Sequence, residues 1–503
     1  MLHSLPQAAD CASLIRNVYP ELFTVAIGAC FRSRRFDEAA ALVEKSRVQP
    51  ILRTDGAGFV EPAPIASRPT APAVGGEGEP ACLSALAEDQ LGPDAAWFGW
   101  WSNGDRLVRC RSRQSEADVE NGLLDASAME LLAHALPVAL PVDLDAADGS
   151  EQTAQLVALW RASMGPLVND PAMSKQLARV IGLRARTAIL GQPAVTSMRA
   201  MTCDELLWSV SVMLFSDAWR QDLIDAAAGG ERLGIVVAPP ALLGRVPWAA
   251  LPLADPASGS VTCLIDVADV LVGLPASLAA GLHRPRSAGC PTGPGLVVAD
   301  SLGDLPYARQ LQPSAMTVLG HAGVAQATRP ELLAALERRP GLLVVDGHIR
   351  AGSDVEPASA ALMLASAIGG PDPMGVAEFA AIGVPELCVV LGCDGAGAAT
   401  GAEWTGLATG LVWAGAREVV TSTAPVIEDG RAPALDAELI DCIRDQGAVR
   451  GLTDWQIRMV ERWRHEPSNP AHAPYRWATT VGLRAGRDAG RSSCTPARAA
   501  MFS

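Results

Sequence analysis

With 503 residues, 49% of them hydrophobic and 19% charged, the chain has the composition of a folded protein large enough for two or three domains. Forty basic against 55 acidic residues leave a net charge of −15, which argues against a nucleic-acid surface, because binding phosphate needs a positive field. The 11 cysteines form no CxxC pairs, and neither a secretory leader nor a bilayer-length apolar stretch stands out, so a reducing cytoplasm is expected and a membrane role is not. Taken in order, residues from Ala12 to Leu52 read as helical, with good helix formers from Phe36 to Arg47. A Gly-, Pro- and Ala-rich linker follows from Asp55 to Pro80. Ala95–Trp101 and Leu107–Cys110 flank an Asn103–Gly104 turn and predict a β-hairpin. A mostly helical region is expected from Ser115 to Ala228, and Gly234–Ala238 reads as a buried strand.

The second half alternates between the two kinds of element. Leu296–Ala299 predicts a strand and Pro330–Leu336 a helix, with proline and an acid in its first turn. Two apolar runs of strand length come next: Leu342–Val345, which leads to His348, and Leu387–Leu391, which leads to Cys393. Helices are then expected at Glu403–Ala414, Pro433–Arg444 and Trp455–Trp463, with strands at Arg417–Ser422 and Arg476–Leu483. Such alternation predicts a mainly parallel sheet with helices on both faces, and the looser first half repeats the outline.

Crevices in open parallel sheets lie beyond the carboxyl ends of the strands. A thiol and an imidazole just past two neighbouring strand ends are the minimum for a cysteine nucleophile with its base. Cys393 follows Gly392 and precedes Gly395 and Gly397, where glycines let the backbone approach a substrate. The duller alternatives stay open at this point: His348 as a histidine that closes a strand, Cys393 as core filler or an oxidisable thiol. Cys388, inside the strand, reads as inert. No other histidine has a partner at metal-ligand spacing, and no Walker loop, dinucleotide fingerprint or serine-nucleophile elbow is present. No metal or cofactor is therefore called for.

Several segments in order resemble the CHAT domain, a bacterial caspase-like family of peptidase clan CD related in fold to caspases and separases. They are Val236–Leu251 with Pro247 and Trp248, Val270–Leu278 with Pro275 and Ser277, and Asp304–Ala308. The His348 strand, Ala360–Leu364, the Gly392–Gly395 turn, Gly406–Ala408 with Ala414–Arg417, and Tyr475–Gly482 complete the series. The resemblance implies a caspase-like three-layer α/β sandwich of two related halves, preceded by short N-terminal helices. It divides the chain into a helical segment (1–54), a linker (55–80), a pseudo-caspase half (81–286), a catalytic half (287–490) and a tail (491–503). It makes His348 the general base and Cys393 the nucleophile of a cysteine endopeptidase, with the oxyanion held by backbone N–H groups of Cys393 and Ile349. Asp346 and Asp394 are the nearest acids; either could orient the imidazole or line an S1 pocket for a basic residue, and the duller reading of each, a solvated loop carboxylate, stays open and is favoured. A protein substrate in a bacterial defence or signalling pathway is implied, with a regulatory partner at the N-terminal half. The chain departs from the family pattern twice, with Ile349 where glycine usually follows the histidine and Gly392 where alanine usually precedes the cysteine. The first departure keeps a second reading in view, a catalytically silent scaffold.

Overall fold

The computed structural model describes most of residues 83–123, 203–273, 293–392 and 406–485, and part of 26–43. The described residues between 26 and 43 are helical on both sides of a turn at 33–34. After α1 (Leu83–Leu91) come β1 (Ala96–Asn103), β2 (Arg106–Arg113) and β3 (Glu116–Leu123). β1 and β2 form the antiparallel hairpin read from the sequence, with Trp97 opposite Ser112 and Asn103 opposite Arg106. The expected turn residue Gly104 lies outside the described residues.

β3 corrects the helical reading of the residues after Ser115. Its register sets Glu116 opposite Arg113, Asp118 opposite Arg111 and Glu120 opposite Arg109. Opposite charges directly across an antiparallel pair stabilise it by about 0.2–1 kcal/mol each. This ladder, with Val119 buried on the other face, holds a strand that its acidic composition disguises.

The first half continues with α2 (Cys203–Leu214), α3 (Asp217–Ala228), β4 (Leu233–Ala238), a short α4 (Leu264–Val267) and β5 (Ala268–Val272). The sheet order is β3-β2-β1-β4-β5, with β1, β4 and β5 parallel. Strand alternation explains why Trp97–Trp101 is apolar almost throughout: both faces of β1 are covered. Phe98 and Trp100 face Phe215, Trp219 and Trp248, and Trp100 Nε1 donates to the Leu214 carbonyl at 2.8 Å. Trp97, Trp101, Val108 and Cys110 pack on the other side with Ile27, Ala39, Val43 and Ala87. The N-terminal helical residues are thus packed onto the first sheet.

The second half comprises β6 (Gly295–Ala299), β7 (Met316–Gly320), α5 (Arg329–Glu337), β8 (Leu342–Asp346), β9 (Ile349–Arg350), β10 (Ala361–Ala365) and β11 (Pro371–Gly375). It continues with α6 (Val376–Ile382), β12 (Leu387–Val390), α7 (Leu407–Trp413), β13 (Glu418–Ser422), α8 (Ala432–Gln446), α9 (Ala448–His465), α10 (Pro474–Trp477) and β14 (Thr480–Arg484). Its main sheet runs β14-β13-β12-β8-β6-β7, parallel except for β14. Residues Leu342–Val345, Cys388–Val390 and Glu418–Ser422 are all buried, although successive side chains point to opposite faces. Both faces are therefore covered, which is the three-layer arrangement expected.

At the start of α5 the Glu331 carboxylate accepts from the Thr328 N–H at 3.2 Å and from its hydroxyl at 2.9 Å. Two limits differ from the sequence reading. α7 begins at Leu407 behind Gly406, not at Glu403, and the expected strand from Arg476 is a short helix before β14. The two large sheets meet edge to edge at Gly482, where an added Cβ would lie 2.8 Å from Leu271 of β5. Pro275, Ser277 and residues 124–202 lie outside the described residues. Among the described residues no helix is long and apolar enough to cross a membrane.

Candidate active site

The chain leaves β6 for β7 on one side, then crosses back over β6 to lay down β8, β12 and β13 on the other. The strand order thus reverses between β6 and β8. At such a switch point the connections after the two strands diverge and open a crevice at their carboxyl ends. His348 lies there, two residues beyond β8 and half-exposed.

The β8–β12 register carries the geometry further. Leu387 pairs with Leu342 and Val390 with Val345, an offset of 45 residues throughout. The pairing runs past the strands, since Leu391 N–H donates to the Val345 carbonyl at 2.8 Å. Gly392 then comes against both chain neighbours of His348. A Cβ on Gly392 would lie 2.3 Å from Gly347 O and 2.7 Å and 2.8 Å from Cδ1 and Cγ1 of Ile349. The two departures from the family pattern therefore meet in space: Ile349 fills room that an alanine at 392 would need.

The small sheet β11-β10-β9 holds the backbone after the histidine. Met363 N–H donates to the His348 carbonyl at 3.0 Å, and Leu362 stands opposite Ile349. In an antiparallel pair hydrogen-bonded and non-hydrogen-bonded positions alternate. With His348 in the bonded position, the N–H of Ile349 points away from β10, toward the outer edge of β9. The sheet is anchored to α5 and α6 by Arg329, which donates to Asp372 at 3.0 Å and 2.6 Å, to the Pro373 carbonyl at 2.7 Å, and to Glu378. The Arg329 guanidinium holds the Asp372 carboxyl below its ordinary range.

The acid that meets His348 is Asp304. Its Oδ1 lies 3.0 Å from Nε2, with the side chains 61% and 42% exposed respectively. Asp304 belongs to the loop after β6, and the sequence reading did not single it out as a functional residue. That loop is tied at its base by the wholly buried Asp300, which accepts from Leu305 N–H at 2.8 Å and pairs with Arg309. Arg309 also donates to the Gly303 carbonyl. Asp300 N–H donates to the Asp346 carbonyl at 2.9 Å, fastening the loop to the end of β8. The only sequence signal for Asp304 is that it is an acid a few residues past a strand end; that this strand lies beside the one leading to the histidine comes from the topology.

Cys393 and Asp394 lie outside the described residues. Asp346, the other acid singled out from sequence, is half-buried at the end of β8. Cys388 is wholly buried in β12; its thiol donates to the Pro385 carbonyl at 3.5 Å, and burial pushes its pKa up, away from reactivity. Among the described residues no group of three or more His, Cys, Asp and Glu could hold a metal ion.

A family model described as CHAT domain matches residues 211–485, or 275 of the 503. The match begins in α2 and ends just past β14, so β1–β3 fall before it. Two crystal structures of the Saccharomyces cerevisiae separase–securin complex, at 2.6 and 3.0 Å resolution, are similar to the chain with TM-scores of 0.40 and 0.39. Identities are 11% and 12%; the alignments cover 79% of this chain in both cases and 31% and 30% of those chains. This chain thus spans less than a third of the length of those solved relatives. No curated protein matches it.

Proposed function

The chain belongs to the CHAT domain family, and from that membership we propose that it is a caspase-like cysteine endopeptidase cleaving a partner protein, with His348 as base and Cys393 as nucleophile. The observation that carries the reading is the 45-residue register between β8 and β12. Histidine and cysteine are separated by the same 45 positions. Gly392, the residue before Cys393, lies against Gly347 and Ile349, the two chain neighbours of His348, which supports pairing this histidine with that cysteine.

The steps follow from that juxtaposition. His348 takes the thiol proton, and the thiolate attacks the scissile carbonyl carbon. Oxygen of the tetrahedral adduct becomes an alkoxide, for which the N–H groups of Ile349 and Cys393 are the donors. The Ile349 N–H pointing away from β10 supports that assignment. Collapse expels the amine, which carries off the proton held by His348, and leaves an acyl-enzyme. Water, deprotonated by the same imidazole, then releases the acid product. No metal or cofactor enters. A substrate in a bacterial defence or signalling pathway, a cytoplasmic setting and a regulatory partner on the first half belong to the same proposal.

One observation favours a second reading, a silent scaffold: the β-branched Ile349 beside the oxyanion position. Its side chain packs toward Gly392, however, which leaves the backbone N–H on the outer edge of β9. A peptidyl acyloxymethyl ketone distinguishes the two readings. The enzyme reading expects covalent labelling of wild type and none of Cys393→Ala. Equal labelling of the two, or none of either alongside no cleavage of a diverse peptide library, would leave the scaffold reading standing.

A further inference from the structure

We propose that Asp304 is a positioning residue for His348, fixing the imidazole in the tautomer whose Nδ1 is the basic nitrogen. Its catalytic meaning rests on the His348–Cys393 reading above, but the tautomer itself does not. A carboxylate only accepts hydrogen bonds. The imidazole nitrogen facing it must therefore carry the hydrogen, so Nε2–H donates to Asp304 Oδ1 across 3.0 Å. In the neutral ring that leaves the lone pair on Nδ1, the nitrogen free to take a thiol proton.

The placement of Asp304 is built into the loop. Asp300 terminates β6 with φ of +44°, a conformation that only glycine, asparagine and aspartate adopt at small cost. Its buried carboxyl holds Leu305 N–H and Arg309, and Arg309 closes on the Gly303 carbonyl. Asp304 sits within this closed ring of contacts, between Gly303 and Leu305. The ring is fastened by Asp300 N–H to the Asp346 carbonyl, two residues before the histidine. One rigid base thus carries both the acid and the imidazole, so their hydrogen bond needs little ordering when substrate arrives. Half-exposed groups are screened by water, which limits the electrostatic gain and leaves orientation as the main effect.

The test uses full-length protein with ¹⁵N-labelled histidine, and His348→Gln to assign the two ring nitrogens. Above the imidazole titration, wild type and Cys393→Ala are both expected to show a protonated Nε2 and an unprotonated Nδ1. Asp304→Asn, which can offer an N–H to the ring, is expected to move His348 toward the opposite tautomer. With the acyloxymethyl ketone, Asp304→Asn is expected to lower the maximal labelling rate about tenfold with the half-saturating concentration unchanged, and Asp304→Glu to recover part of the loss. A protonated Nδ1 in wild type, or a spectrum indifferent to Asp304→Asn, overturns the proposal. So does a loss that appears only as weaker probe binding or lower stability. Labelling that survives Cys393→Ala sinks the dyad and leaves the tautomer result intact, so the two failures are distinguishable.

Discussion

Gly392→Ala is the smallest change that tests how closely the two strand ends meet. The added Cβ would fall 2.3 Å from the Gly347 carbonyl oxygen and 2.7 Å and 2.8 Å from two carbons of Ile349. Non-bonded carbon–oxygen contacts settle at about 3.3 Å or more, so the overlap with Gly347 is about 1 Å, and it is with backbone, which cannot rotate aside. Ile349 can give by a rotamer change; Gly347 can give only if the ends of β8 and β12 separate. Overpacking of this size costs about 1–3 kcal/mol. The larger effect is on function, because a displacement of about 1 Å between reacting groups can cost about 10²-fold in rate. The expected result is a modest fall in the denaturant midpoint and a roughly 100-fold slower reaction with the acyloxymethyl ketone. Pairing the change with Ile349→Gly should recover only part of the rate, since the carbonyl clash persists. Labelling of Gly392→Ala within twofold of wild type would refute the close approach.

Trp100→Phe removes the buried donor of the Leu214 carbonyl and is expected to cost about 1–3 kcal/mol in urea unfolding, with labelling of the folded protein unchanged. Cys388→Ala is expected to leave the labelling rate within twofold of wild type, because its thiol is buried and held protonated; a large loss would mean that the reactive cysteine has been misassigned. Arg329→Gln frees Asp372 from the charge that lowers its pKa. A depressed carboxyl stabilises the fold above its unfolded pKa of about 4 and loses that contribution as pH falls through the folded value. Wild type should therefore exceed Arg329→Gln by about 0.5–1 kcal/mol at neutral pH, solvent screening limiting the gain. The gap should narrow below about pH 4, read from urea midpoints across pH; a gap that stays constant would contradict the ion pair.

The legible parts of this chain are those whose cause is local. Leu342–Val345 and Leu387–Val390 are apolar without a break because both faces of β8 and β12 are buried. The same burial makes the strand ends, and so His348, readable from sequence. β3 was not legible because its outward positions carry Glu116, Asp118 and Glu120. Only the partner strand, with Arg113, Arg111 and Arg109 at matching positions, turns that acidic stretch into a strand. Asp304 was hidden for a different reason. Its role depends on β6 lying beside β8 and on the Asp300–Arg309 contact that closes its loop, and neither follows from spacing. Asp304 lies 44 residues from His348 in sequence, whereas the acids singled out from sequence, Asp346 and Asp394, are near neighbours of His348 and Cys393. Ile349, taken alone, reads as damage to an oxyanion site; beside Gly392 it reads as half of a paired change.

The central claim is that Cys393 is the nucleophile and His348 its base. The most direct measurement is to label wild type with the acyloxymethyl ketone, digest it and locate the adduct among the 11 cysteines by tandem mass spectrometry. His348→Ala is treated alongside. The account predicts one adduct, on Cys393, and its near-complete loss in His348→Ala. An adduct on another cysteine, or one on Cys393 that forms equally fast without His348, would contradict it.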